Sequence, residues 1–130
     1  PKRGIGDTTI DKIVVAANDH GISIWEVLQN ATSFVGGRAA GPIDAFVTSI
    51  QRFGLEVQRK DAYEAAFEIA KGSGLLKDLY EDKTVEGLSR YENVQELLNA
   101  IKEFVDDPER EDKSLGAFLQ EVSLLTSQDE

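Results

Sequence analysis

The sequence predicts an all-α fold, an irregular array of about six or seven helices, and three observations support that prediction. Apolar residues recur at spacings of three and four along most of the 130 residues, as they do on the buried face of a helix. Serine or threonine precedes several of these stretches and glycine follows some of them, which is typical of helix ends. The sequence contains neither an alternating strand pattern nor a repeat of about 20–50 residues.

Capping residues bound the first two predicted helices. Thr8 or Thr9 is predicted to cap the first helix, and Gly21 is predicted to end it. Ser23 and Glu26 form the pattern of a capping box, which opens a short second helix. The inward stripes predicted for these two helices are Ile10, Ile13, Val14 and Ala17, and then Trp25, Val27 and Leu28.

Glycines divide the middle of the chain into further helices. Gly36-Gly37 is predicted to interrupt the chain, and the longer helix that follows is expected to end at Gly54. Another helix is predicted over 62–71, and Gly72-Ser73-Gly74 is expected to form a tight joint after it. The inward stripes of these helices are Ile43, Phe46, Val47, Ile50 and Phe53, and then Tyr63, Ala66, Phe67 and Ala70.

The remaining residues predict one short helix and two longer ones. The short helix covers 75–80, Thr84 caps the longest helix, and Ser114 caps the last one. A charged loop over 106–113, which contains Pro108, separates the last two helices. Their inward stripes are Val85, Leu88, Tyr91, Val94, Leu97, Leu98, Ile101 and Val105, and then Leu115, Phe118, Leu119, Val122 and Leu125.

Length and composition limit the class of protein. A chain of 130 residues suits a single helical domain over 1–130. The absence of cysteine excludes disulfides, a thiolate nucleophile and cysteine-ligated metal sites, and the single histidine, His20, lacks partners for zinc. No apolar run is long enough to span a bilayer, so we expect no membrane partner and a cytoplasmic or nucleoid location.

Charge is distributed unevenly between the two halves of the chain. Residues 1–60 carry seven basic and six acidic side chains, whereas residues 61–130 carry seven basic and eighteen acidic ones. The overall net charge of −10 argues against a surface that binds nucleic acid throughout, but it permits one local contact face. The acidic half is either a solvated helix surface or a surface for a basic partner protein.

The segment Arg3-Gly4-Ile5-Gly6-Asp7-Thr8-Thr9 is the most distinctive local feature of the sequence. Two glycines around an apolar anchor permit a tight turn that leaves backbone amides free at a helix N-terminus, which suits a phosphate oxygen. The hairpin of helix–hairpin–helix DNA-binding proteins contacts the sugar-phosphate backbone in this way. Lys2 and Lys12 are candidates for further phosphate contacts, whereas Asp7 competes for the same amides. A plain turn without a ligand is the alternative interpretation.

Several segments together resemble the superfamily 1 DNA helicases UvrD, PcrA and Rep. The first nine residues resemble the P-x-R-G-I-G-x-x-T segment of that family. Four further landmarks follow in the family's order, and the match is to the inserted helical 2B subdomain. These landmarks are Ser23-Ile24-Trp25-Glu26, Gly37-Arg38-Ala39-Ala40, Ser89-Arg90-Tyr91-Glu92-Asn93-Val94-Gln95-Glu96-Leu97 and Leu115-Gly116-Ala117-Phe118-Leu119.

The resemblance implies a regulatory module that contacts duplex DNA. In that family the 2B module rotates as a unit and touches the duplex ahead of the fork. Its glycine turn lies against the DNA backbone, which implies DNA-binding roles for the matching residues of this chain. Lys12 is a further candidate, which comes from the residue pattern. The candidate DNA-binding residues are Arg3, Gly4, Ile5, Gly6, Asp7, Thr8, Thr9, Lys12 and Arg38.

The same resemblance implies a piece of a larger, ATP-dependent DNA helicase that acts in repair or replication. The chain starts at Pro1 without an initiator methionine, which is consistent with an excised segment. It contains no G-x-x-x-x-G-K-[ST] motif, so we expect no catalytic residue, cofactor or ATP hydrolysis in these residues. ATP and Mg²⁺ are expected in the motor domains of the parent protein, which would be partners along with DNA and repair proteins.

Two other functions are consistent with the residues. The acidic half predicts, as the alternative, a helical protein-interaction module whose contacts map to 78–112. A stand-alone enzyme would need a catalytic arrangement, and the carboxylate pairs such as Asp106-Asp107 have no base or nucleophile nearby in the sequence.

Overall fold

A computed structural model describes residues 3–129, with side chains through residue 125, and confirms the all-α prediction. Within those residues there are eight α-helices, one 3-10 turn over Gly37–Ala39 and no strand. The helices are α1 (Asp7–His20), α2 (Ile24–Gln29), α3 (Ala31–Phe34), α4 (Ala40–Arg59), α5 (Ala62–Gly72), α6 (Leu75–Glu81), α7 (Val85–Asp106) and α8 (Leu115–Asp129). Among them, none combines the length and the apolar character that crossing a membrane requires.

The chain divides into two compact units, unit 1 (Pro1–Arg52) and unit 2 (Phe53–Glu130). Unit 1 contains α1 to α3 and most of α4, and unit 2 contains α5 to α8. The single domain that the sequence predicts over 1–130 remains a prediction.

The core of unit 1 is built from small and branched side chains. Its buried residues are Ile13, Ala16, Ala17, Val27, Ala31, Ile43 and Val47. The prediction that Ile10 and Val14 face inward is wrong, because both are exposed and Ala16 is buried instead. Stripes 10-13-14-17 and 13-16-17-20 both have helical spacing, so periodicity alone does not select between them. Alanine on the buried face permits the close approach of α1 and α2, which pack together.

Helix ends in unit 1 confirm some predicted caps and correct others. Gly21 ends α1 in the left-handed conformation (φ 63°), and Ser23 Oγ accepts a hydrogen bond from the Glu26 amide at 3.0 Å, as predicted. Neither Thr8 nor Thr9 caps α1, because the helix begins at Asp7 with Gly6 in the capping position. The residues Gly36 and Gly37 have positive φ and interrupt the chain, also as predicted.

The prediction that Gly54 ends the longest helix of the first half is wrong. Helix α4 continues for five residues beyond Gly54 to Arg59. A glycine inside a helix costs only about 1 kcal/mol, which the other residues of a long helix offset. The chain changes direction at Asp61, whose side chain accepts a hydrogen bond from the Glu64 amide at 2.9 Å and caps α5.

Unit 2 has its best-defined core where α5, α7 and α8 meet. Ala62, Ile101 and Phe104 are buried there, and the rings of Phe104 and Phe118 meet edge to face with centroids 5.4 Å apart. Phe104 was not in the predicted stripe of α7, whereas Ile101 was. The caps are as predicted: Thr84 Oγ1 accepts from the Gly87 amide at 3.0 Å, and Ser114 Oγ from the Ala117 amide at 3.1 Å.

The first turns of α7 expose two residues that the sequence predicts to be part of a buried stripe. Val85 is 82% exposed and Leu88 is 57% exposed, although both have core spacing. This half of the helix packs against the short α6, which is too small to cover it. The prediction of an inward stripe is therefore wrong for the first turns of α7.

Candidate nucleic-acid interface

Contacts within unit 1 hold one side of the glycine turn, residues 3–9. Gly4 has φ +80°, which favours glycine, and a Cβ on it would lie 3.3 Å from Cγ of Pro42. Ile5 is half-buried and packs against the unit 1 core, as the sequence predicts for an anchor. These two residues therefore hold the shape of the turn, and their side of it faces the protein.

The other side of the turn is open. Gly6 is exposed, its backbone is extended (φ −104°), and a Cβ built on it would meet nothing within 4 Å. The first hydrogen bond of α1 runs from the Ile10 amide to the Gly6 carbonyl at 3.0 Å. The amides of Asp7, Thr8 and Thr9 precede that bond, and no acceptor is found for them within residues 3–129.

The described cationic candidates, Arg3, Lys12 and Arg38, are exposed side chains of unit 1. Lys12 is exposed one helical turn after Thr8 on α1, and both line the same groove. Arg3 is exposed and has an interaction partner within the protein. Arg38 is exposed on the 3-10 turn that leads into α4, four residues before the proline that touches Gly4. Lys2 lies outside the described residues.

An open groove of about 550 Å³ runs along α1 beside the turn. Its polar lining includes Thr8 and Lys12, but also the carboxylates of Asp11 and Asp19. At its far end His20 Nδ1 lies 3.0 Å from the Ala16 carbonyl oxygen, one helical turn back along α1. The two carboxylates oppose a phosphate in the groove itself. They were missed in the sequence because their face of α1 follows only from the packing of that helix.

This arrangement has the features of an oxyanion site. Free amides at a helix N-terminus donate hydrogen bonds to an anion, and the positive end of the helix dipole attracts it. Asp7 in the first turn reduces that attraction, and only Thr9 of the two threonines is half-buried. Over the described part of the chain, no three His, Cys, Asp or Glu residues are grouped as a metal site would require.

Comparison with known proteins relates the whole chain to DNA helicases. No protein-family model matches it. The chain is 32% identical over its full length to the ATP-dependent DNA helicase PcrA of Bacillus subtilis. It is 32% identical over 95% of its length to DNA helicase II of Escherichia coli, and 30% identical over its full length to that of Haemophilus influenzae. The chain belongs to the UvrD/PcrA helicase family.

The chain covers only 18% of the length of each of these helicases. Membership of the UvrD/PcrA family confirms the resemblance on which the candidate residues rest. The DNA contacts of the individual candidate residues stay predictions.

Proposed function

We propose that this chain is the 2B-like regulatory subdomain of an ATP-dependent DNA helicase and that it contacts the sugar-phosphate backbone of duplex DNA through the glycine turn. One observation carries the proposal: the exposed start of α1 offers the amides of Asp7, Thr8 and Thr9 without acceptors among the described residues. The names of its relatives, DNA helicases, support DNA as the ligand.

Backbone contact of this kind gives no base readout. Amides, threonine hydroxyls and a few cations recognise phosphate oxygens, which every sequence presents alike. In this proposal Lys12 and Arg38 supply charge at the edges of the site, and Arg3 supplies charge within the turn itself. The contact therefore positions a duplex, while unwinding in repair or replication is powered by other domains.

The affinity of this chain for DNA alone is expected to be weak. Its net charge of −10 repels a polyanion from most directions, and Asp7, Asp11 and Asp19 lie on the same helix as the candidate amides. Non-specific binding of this type has Kd values of roughly 10⁻⁴ M and weakens with salt. We expect binding in that range or weaker at low ionic strength.

ATP hydrolysis belongs, in this proposal, to the remainder of the parent protein. The chain has no phosphate-binding G-x-x-x-x-G-K-[ST] sequence, so ATP and Mg²⁺ are assigned to motor domains outside it. The coding sequence on both sides of this segment is expected to carry motor motifs. A gene without such motifs on either side would contradict the helicase assignment.

The test of the DNA contact is titration of a labelled duplex with Gly6→Val and its control Gly54→Val. A Cβ built at either position meets nothing within 4 Å, so the two positions are matched in the space beside the backbone. The valine at Gly6 stands at the amides and is expected to abolish the weak binding, whereas the control keeps it. Equal binding by the Gly6→Val variant and wild type would overturn the contact, as would no binding by the folded wild-type chain.

A further inference from the structure

A small aromatic cleft belongs to unit 2, whereas the candidate DNA-binding residues all belong to unit 1. It has a volume of about 200 Å³, enough for one large side chain. The rings of Tyr80 and Tyr91 meet edge to face in its wall, with centroids 5.7 Å apart. Its lining residues are Leu79, Tyr80, Asp82, Lys83, Leu88 and Tyr91.

Several large apolar side chains are exposed together at this cleft. Tyr80 is 62% exposed and Leu88 is 57% exposed, and the neighbouring Val85 is 82% exposed. Isolated apolar residues on a surface are ordinary, but a group of them around a cleft is typical of interaction sites. Tyrosine is also among the residues that contribute most to binding energy at interfaces.

The charge around the cleft indicates the kind of partner. Residues 78–112 carry twelve acidic and four basic side chains. In the described part of unit 2, no ion-pair partner is found for the exposed Glu81, Glu86 or Glu92. Such a surface repels nucleic acid, and it repels a second copy of a chain whose net charge is −10. A basic polypeptide segment is the complementary ligand.

The cleft already holds a cation against its aromatic wall. The Lys83 ammonium lies 4.3 Å from the centre of the Tyr80 ring and donates a hydrogen bond to the Tyr80 carbonyl oxygen at 3.0 Å. The Asp82 carboxylate at the same place accepts hydrogen bonds from the Thr84 hydroxyl and amide, and these bonds lower its pKa.

We propose that this cleft receives one apolar side chain from a basic segment of a partner protein. The apolar side chain enters between Tyr80 and Leu88. Basic residues on either side of it meet Glu81, Glu86 and Glu92. This interaction uses no residue of the glycine turn, so it is independent of the proposed DNA contact.

The test uses short synthetic peptides and the ¹⁵N-labelled 130-residue chain. One peptide consists of arginine and lysine around a central leucine, and a second has serine in place of that leucine. The leucine peptide is expected to shift the backbone amide signals of residues 79–91. It is expected to bind roughly tenfold more tightly than the serine peptide, because burying a leucine side chain is worth at least about 1.4 kcal/mol.

Matched variants on α7 distinguish peptide binding in the cleft from general charge attraction to the acidic surface. Leu88→Ser is expected to remove the preference for the leucine peptide, whereas Leu97→Ser, at a comparably exposed leucine further along the helix, keeps it. Equal binding of the two peptides to the wild-type chain would overturn the proposal whatever the variants do. Signal shifts confined to the acidic loop over 107–112 would overturn it as well.

Discussion

The pyrrolidine ring of Pro42 lies beside Gly4, so that a Cβ added at Gly4 would be 3.3 Å from Cγ of Pro42 and 3.6 Å from its Cβ. The contact joins the glycine turn to the first turn of α4 within unit 1. It explains why one glycine of the turn is structural. The other glycine, Gly6, has neither a positive φ nor a neighbour, which leaves its exposed side available to a ligand.

Gly4→Ala is expected to destabilise unit 1 by about 1–2 kcal/mol. An L-residue in the left-handed region costs about that amount, and the contact with Pro42 adds to it. The only tryptophan, Trp25, lies in unit 1, so denaturant unfolding followed by its fluorescence measures the change. The double variant Gly4→Ala with Pro42→Ala relieves the contact alone and is expected to recover only part of the loss. An unchanged unfolding midpoint for Gly4→Ala would contradict the conformation at this position.

Gly87→Ala is expected to destabilise unit 2 although alanine favours helices. A Cβ at Gly87 would lie 2.3 Å from Cγ of Asp82, and two hydrogen bonds from Thr84 hold that carboxylate in place. Overpacking of this kind typically costs about 1–3 kcal/mol. Thermal unfolding followed by far-ultraviolet circular dichroism measures the effect. The additional change Asp82→Gly removes the clashing atoms, so a double variant less stable than Asp82→Gly alone would contradict the explanation.

Gly54→Ala is expected to have the opposite sign. Gly54 lies inside α4, and a Cβ there would meet nothing within 4 Å. Alanine stabilises an exposed helix interior by about 1 kcal/mol relative to glycine. The same thermal unfolding experiment is expected to show a higher midpoint. A lower midpoint would mean that the helix is broken at this glycine, as the sequence alone predicts.

Asp7→Asn is expected to strengthen duplex binding. The carboxylate lies in the first turn of α1, where it repels a phosphate at the neighbouring amides. We expect a gain of roughly fivefold at low salt, since two charges 4 Å apart in water interact by about 1 kcal/mol. Fluorescence anisotropy with a labelled duplex measures it, and Glu96→Gln on the exposed face of α7 is the control for net charge. An equal gain in both variants would indicate that only overall charge changed.

Acid is expected to weaken the start of α7. Hydrogen bonds from the Thr84 hydroxyl and amide lower the pKa of Asp82 from its ordinary value of 3.8. A lowered pKa in the folded state means that the ionised carboxylate stabilises the fold above pH 3.8, and that this contribution is lost as the pH falls through the folded-state value. An NMR titration of Asp82 measures it. Thr84→Ala removes the hydroxyl and is expected to raise this pKa towards 3.8; an unchanged value would exclude the hydroxyl as the main cause.

Local signals in the sequence were sufficient for most helix ends. Ser23, Thr84 and Ser114 each accept the amide bond predicted for them, because a cap depends on residues only three positions apart. The exceptions are instructive. Gly54 does not end a helix, and Gly6 rather than a threonine precedes α1, because a helix end depends on the balance over the whole segment and not on one residue.

The choice of buried face was predicted less well than the helices themselves. On α1 the structure buries Ala16 and leaves Val14 exposed, and on α7 it buries Phe104 and leaves Val85 exposed. Each helix carries apolar residues on more than one face. Which face is covered depends on the helices that pack against it, and no single-helix pattern contains that information.

The helical class, the glycine turn and the family membership can all be read from the amino-acid sequence, because periodicity and capping depend on neighbouring residues and motif order is read along the chain. The position of Pro42 beside Gly4, the open side of the turn and the exposed cleft lined by Tyr80 and Leu88 follow from the three-dimensional structure alone. Burial is a relation between segments that are distant in the chain. The apolar pattern of a helix shows which of its faces can be buried. The helices that pack against it decide which of those faces is buried.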